Sequence, residues 1–279
     1  MDLKNVKLTK QMARALWIAE QECARTRSKC LLPVHLLIGC LDDGSFPVKE
    51  SKDKSGIGID SIRSAAKPQD VKGVSYEPFH FPVSAETKQV MEVSIGYMNS
   101  YNQVYLNEGH VLKSLMAAGH ASGLLTEEQQ QALLSIAVVS RDMRMTLSGY
   151  TMRSLLYQNI RKVTNDDGKN LLRFIEDEFS GKWVQSIKTA LSHTQPAIFI
   201  ATDSSDKIVG FAAYKTNGYF GPMGVALSRR SEGIGEALLH SCLDEMRLIG
   251  FKEVIIDQAG PIEFYERACN AQVIPINKL

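Results

Sequence analysis

Long hydrophobic runs are missing from this 279-residue chain. The longest, such as Ile136 to Val139, reach only a few residues, where a membrane-spanning helix needs about 20. Charge of one sign is missing too: 32 Lys and Arg stand against 31 Asp and Glu, a formal net charge of +1. That excludes a global basic field of the kind that draws in nucleic acid nonspecifically. The five cysteines, Cys23, Cys30, Cys40, Cys242 and Cys269, contain no C-x-x-C pair, and the six His show no H-E-x-x-H spacing. Reduced, mostly buried thiols and no metal are therefore expected. No G-x-x-x-x-G-K-[ST] loop occurs, which removes a P-loop ATPase. The opening MDLKNVKLTK has no apolar stretch of the signal-peptide kind, so a cytoplasmic protein is expected. What is present is ordinary: 44% hydrophobic and 23% charged residues. That is enough for a core, and at roughly 150 residues per domain the length suits two domains.

The first half repeats itself. Leu8 to Leu41 matches Val83 to Met116 without a gap, at a constant offset of 75 residues. Leu16 falls on Met91, Leu31 on Leu106, His35 on His110 and Leu37 on Leu112; the match is of pattern more than of letters. Met12, Leu16, Ala19 and Cys23 recur at three- and four-residue steps and share one helix face. Thr9 and Ser84 stand where an N-cap hydroxyl would accept from the first free amides, and Pro33 suits the first turn of the next helix. A closing helix is expected from Asp60 to Ala66, and another after the capping box of Thr126 and Gln129. Ser51 to Gly58 and Pro68 to Pro82 read as loops.

This half, residues 1–143, resembles the N-terminal domain of the Clp protease-associated chaperones, an all-α double four-helix repeat. The residues that carry the resemblance are LTKQMARALWIAEQEC…VHLLIGCL and VSAETKQVMEVS…GHVLKSLM. In that family the domain receives substrates and adaptors for an attached ATPase, so the resemblance implies a Clp-machinery partner. Where family members place a Glu before each repeat's His to hold phosphorylated arginine, this chain has Val34 and Gly109, and that recognition is not expected. His35 and His110 read as packed or capping residues.

From about Arg144 strands alternate with helices. Asp166 to His193 is helical in pattern, broken near Ser180-Gly181. Ala197 to Thr202 and Ile208 to Lys215 are strands joined by a hairpin signal. Tyr219 to Leu227 is a third strand interrupted by Pro222 and glycines. Gly233 to Ile249 is a long amphipathic helix, followed by a strand from Phe251 to Ile256, a short helix from Pro261 to Ala268 and a last strand at Ala271 to Ile274.

The junction before the long helix reads Arg230-Ser231-Glu232-Gly233-Ile234-Gly235. First-turn amides have no intrahelical partner, and the helix dipole adds partial positive charge there. Gly233 and Gly235 leave the backbone open to a pyrophosphate, and Arg229 or Arg230 can add a charge-assisted contact.

Residues 144–279 resemble the GNAT superfamily of acyl-CoA-dependent N-acetyltransferases, an α/β fold with a mixed, mostly antiparallel sheet. The matching stretches are IVGFAAYK, FGPMGVALSRRSEGIGEALL and GPIEFYERACNAQVIP. The resemblance implies acetyl-CoA as co-substrate. Its pyrophosphate would lie on the backbone of Glu232, Gly233, Ile234, Gly235, Glu236, Ala237 and Leu238, beside Ser231. Its pantetheine arm would pair with Val225, Ala226 and Leu227, where the third strand bends away from its neighbour at a bulge, and one of those amides would polarise the thioester carbonyl. The family's thiolate-protonating Tyr falls on Tyr265; Phe264 and Cys269 read as packing. For the base, Asp257 stands ahead of Glu263, with water as the other route for the proton. Acetyl transfer to a primary amine, on a small molecule or a protein lysine or N-terminus, is the first reading. A Clp-related adaptor with a coenzyme-binding scaffold is the second.

Overall fold

The computed structural model describes residues 3–101, 103–151, 157, 159–179, 181–260 and 262–276. Ser180 and Pro261, placed above at a helix break and a helix start, lie outside these. The chain divides into Met1–Val139 with Pro275–Leu279, and Ser140–Ile274. The division thus precedes the 143/144 boundary read from sequence, because Arg141–Thr146 is already a strand of the second unit.

The first unit opens with β1 (Lys7–Leu8), α1 (Lys10–Thr26), α2 (Pro33–Asp42), α3 (Phe46–Ser55) and α4 (Ile59–Ala65). It continues with α5 (Ala85–Ser100), β2 (Tyr105–Leu106), α6 (Glu108–Ala117) and α7 (Glu127–Ala132), the last running on as a π turn over Leu133–Ala137. The helix starts repeat at the offset seen in the letters. The hydroxyls of Thr9 and Ser84 accept from the N–H of Met12 (3.0 Å) and Thr87 (3.2 Å), and Pro33 opens α2. The two repeats exchange backbone in mirror fashion. Leu8 pairs in parallel with Leu106 and Val83 with Leu31, and the cap amides of Thr9 and Ser84 donate to the carbonyls of Leu106 and Leu31, each at 3.0 Å. Each repeat thus supplies the bond that anchors the other's first helix, and the interior between them is closed by Met12, Leu37, Met91 and Leu112.

One expectation fails here. Ser51 to Ser55, read as loop, ends α3, whose sequence FPVKESKDKS is too charged for an apolar stripe to register. Buried Pro47, Val48, Glu50 and Ser51 hold it down, and Gly56 closes it in the left-handed conformation.

His35 and His110 play one role twice. Their Nδ1 atoms accept from the N–H of Leu32 (3.0 Å) and Asn107 (3.1 Å), closing the entries to α2 and α6. With Nδ1 accepting, the His35 proton sits on Nε2, 3.1 Å from the Thr26 hydroxyl. Both rings are buried, and burial pushes both down to about 4.

The second unit is a seven-stranded sheet in the order β4 (Ile160–Lys162), β5 (Ile198–Thr202), β6 (Ile208–Tyr214), β7 (Tyr219–Val225), β8 (Glu253–Ala259), β3 (Arg141–Thr146) and β9 (Gln272–Val273). All neighbours are antiparallel except β7 with β8. On one face Leu238, Cys242 and Met246 of α10 (Ile234–Leu248) and Tyr265 and Ala268 of α11 (Ile262–Cys269) pack on Met143, Phe220 and Ile256. On the other, Leu171 and Ile175 of α8 (Gly168–Phe179) and Ile187 of α9 (Val184–Leu191) cover Ile198, Ile200 and Phe211. Covered on both faces, β6 is buried throughout, which is why its residues read as a continuous apolar run. The short strand β4 went unread in the sequence because three residues carry no periodicity.

The two capping histidines link stability to pH. Their folded pKa lies below the ordinary 6.5, so below pH 6.5 the unfolded chain binds the extra protons. Their stabilisation is complete above pH 6.5 and is lost as pH falls toward 4, with a slope of up to about 1.4 kcal/mol per pH unit for each ring. Urea unfolding of the full chain at pH 7, 6, 5 and 4.5 should show this decline, and the double variant His35→Gln, His110→Gln should flatten it.

Candidate active site

The site begins where two strands part. β7 and β8 are in register only at Tyr219 with Ile255 and Phe220 with Ile256. Beyond Phe220 the β7–β6 ladder slips by one residue, since Ala212 faces Met223 while Tyr214 faces Phe220. Gly221 and Pro222 are the bulge, and a bulge bends its strand and sharpens its twist. The bend is held from below by Phe179 at the end of α8. A Cβ on Gly224 would meet that ring at 2.5 Å, so only glycine allows the approach. Phe179 in turn packs against Phe174, Trp183 and Phe211.

An antiparallel strand turns successive backbone groups to opposite sides. Ala226 N–H faces β6 and donates to the Val209 carbonyl at 2.9 Å. The N–H and C=O of Val225 therefore face away from β6, toward the gap beside β8. The Val225 carbonyl accepts from Arg230 Nε at 3.2 Å, and Leu227 N–H donates to Glu178 Oε2 at 3.1 Å. Of the three residues expected to present free backbone, Val225 is turned into the gap, Ala226 is spent on the sheet and Leu227 is engaged by a side chain from α8.

After β7 the chain makes a 3-10 turn over Leu227–Arg229 and enters α10 through Gly233 at φ 82 and ψ −2. This left-handed value favours glycine. The N-cap of α10 is a glycine and offers no side-chain bond, so the amides of Ile234, Gly235 and Glu236 lead its positive end. Arg229 and Glu232 hold each other in a two-pronged ion pair of 2.8 to 3.0 Å on the surface. Each shifts the other toward its charged form. Arg230 turns inward instead. Burial lowers its guanidinium, and the charge of Glu178 works against that fall.

Gly235 differs from Gly233. A Cβ there would lie 3.7 Å from Phe264 and 3.7 Å from Val225, ordinary contact. Those neighbours show that α11 packs against the start of α10 and the end of β7. Beside Phe264, Tyr265 is 7% exposed, with its ring edge-on to Phe220 (6.3 Å) and Phe264 (4.9 Å). Burial pushes its phenol up, well beyond the usual range, with Cys269 adding to the shift. Cys269 is buried, its thiol donating to the Tyr265 carbonyl at 3.2 Å. Asp257 follows Ile256, the last residue of β8 in register with β7, with its Cβ 3.8 Å from the position of a Cβ on Gly221. Lys215 Nζ pairs with its Oδ2 at 3.1 Å, so a proton that Asp257 accepts arrives beside an ammonium. Glu263 sits half-buried in the first turn of α11.

Two groups at this site escaped the sequence reading. Glu178 and Lys215 reach it from α8 and from just past β6, across 49 and 42 residues. No spacing in the chain links either to its partner.

Residues 162–268 match the model of the acetyltransferase (GNAT) domain family. Among solved structures, the chain is similar to a GCN5-related N-acetyltransferase from Sphaerobacter thermophilus, with 22% identity over 49% of this chain and 49% of that one and a TM-score of 0.40. It is similar to the Escherichia coli GNAT family N-acetyltransferase YhbS, crystallised in complex with CoA, with 20% identity over 37% of this chain and 62% of that one and a TM-score of 0.29. It is also similar to the N-terminal domain of the caseinolytic protease-associated chaperone ClpD from Arabidopsis thaliana, with 20% identity over 46% of this chain and 93% of that one and a TM-score of 0.37. This chain spans about half the length of the Sphaerobacter protein. The stretch that matches the GNAT acetyltransferase domain family is thus residues 162–268, and the helical repeat precedes it in the chain.

Proposed function

We propose that this chain is an acetyl-CoA-dependent N-acetyltransferase that moves an acetyl group to a primary amine by direct attack in a ternary complex. The observation that carries the reading is the parting of β7 from β8 after Phe220, next to a helix start whose N-cap is a glycine, inside the stretch that matches the GNAT domain. The groups at hand suit the cofactor's two ends. The leading amides of α10 and the inward Arg230 offer a cradle for a diphosphate, and the Val225 backbone offers an edge for the amides of a pantetheine arm.

When bound, acetyl-CoA supplies an acyl group activated as a thioester. The Val225 N–H, fixed in direction by the ladder, donates to the carbonyl oxygen as charge grows on it. Tyr265, kept protonated by burial, gives its proton to the departing thiolate. The amine's proton passes to Asp257, beside the Lys215 ammonium, with Glu263 as the second carboxylate in place. Phe220 and Phe264 hold the Tyr265 ring between them and exclude water from that side.

Millimolar CoA should raise the melting temperature of the full chain. A ligand seen only by the folded state adds about 2.7 kcal/mol at a hundredfold excess over its dissociation constant, and no shift would remove the reading. Tyr265→Phe should keep that shift while slowing acetyl-CoA thiol release by about tenfold to a hundredfold, within the range of acid–base contributions. Lysate proteins and then small amines serve as acceptors in that assay.

The two loop glycines separate fold from binding. Gly233→Ala should destabilise the chain by about 1 kcal/mol through its left-handed backbone, seen as a lower urea midpoint. Gly235→Ala should keep the midpoint and lose CoA affinity, because its methyl would fill the space between Val225 and Phe264 beside the first turn of α10.

A further inference from the structure

Glu178 is the penultimate residue of α8, and Phe179 beside it is pinned under Gly224 by the aromatic cluster of Phe174, Trp183 and Phe211. That anchor delivers the Glu178 carboxylate to the end of β7, where it accepts from Leu227 N–H at 3.1 Å and acts electrostatically on Arg230. A carboxylate shares with a phosphate the features that matter here: anionic oxygens that accept from backbone N–H and attract a guanidinium. Glu178 therefore makes, from within the chain, the kind of contacts that an anionic ligand would seek at the same place.

We propose that Glu178 is a built-in competitor for the cofactor groove, its carboxylate holding the Leu227 amide at the end of β7, so that it sets how tightly acetyl-CoA binds. This rests on the reading of that groove given above. The Leu227 N–H cannot serve two anions at full strength, and the Glu178 charge repels a second anion beside Arg230, so the cofactor binds chiefly to the fraction of molecules in which Glu178 has swung away. Its apparent dissociation constant rises by the inverse of that fraction. Glu178→Ala removes both the bond and the charge, and Glu178→Gln removes the charge alone.

Titration calorimetry of CoA into the full-length wild type and both variants tests this. Glu178→Ala should bind about tenfold tighter, corresponding to an open fraction near one in ten in the wild type, with Glu178→Gln between the two. In spectra of 15N-leucine-labelled protein without ligand, the Leu227 amide resonance should move in Glu178→Ala. In kinetics, KM for acetyl-CoA should fall while KM for the amine stays. Equal or weaker CoA binding by both variants, with the wild type binding normally, overturns the competitor role and leaves the groove intact. Failure of all three proteins to bind CoA removes the groove itself, and this proposal with it.

Discussion

The second unit is organised by a single broken pairing. Two parallel strands, β7 and β8, stay together as far as Phe220 and Ile256 and then part. The cause is local and covalent: the two residues that follow, Gly221 and Pro222, include one with no N–H to donate to a ladder, and they add one residue to β7 relative to β6. The parting would be costly if it left buried backbone groups unmet. Its edge is instead bordered by Arg230 and Glu178, which engage the Val225 carbonyl and the Leu227 amide, and by the rings of Phe179 and Phe264. The gap is thus a supported feature of the fold, with polar groups at its rim.

The charges around the gap are arranged in pairs. Arg229 is bound to Glu232, Lys215 to Asp257, and Arg230 feels Glu178. Arg230 is half-buried and turned inward, and a guanidinium drawn away from solvent is screened less.

The helical half rests on a different constraint. Two repeats of similar pattern each expose a backbone edge that the other needs: Thr9 is bonded by Leu106, Ser84 by Leu31. A single repeat would leave these groups unpaired, so the duplication is structural rather than incidental. The same logic places a neutral imidazole at the entry of α2 and of α6, where a ring nitrogen takes a backbone N–H that is otherwise without a helical partner.

Much of this was legible in the letters. The offset between His35 and His110, the caps at Thr9, Ser84 and Thr126, the apolar stripe of α10 and the glycine-led turn before it are local patterns, governed by the 3.6-residue period and by backbone freedom at one or two residues. The chain alone also placed Tyr265 on a short helix after the parted strands, through its likeness to a family. Other features belonged to the tertiary structure: that α3 is a helix despite its charge, that Ala226 and Leu227 have their amides spoken for, that Lys215 sits on Asp257, and that Glu178 reaches the end of β7. Each of these depends on groups from separate elements being brought within hydrogen-bonding distance, or on burial by neighbours that no short window contains. Periodicity reports which face of an element is apolar; only packing decides which polar side chain ends up opposite which backbone amide.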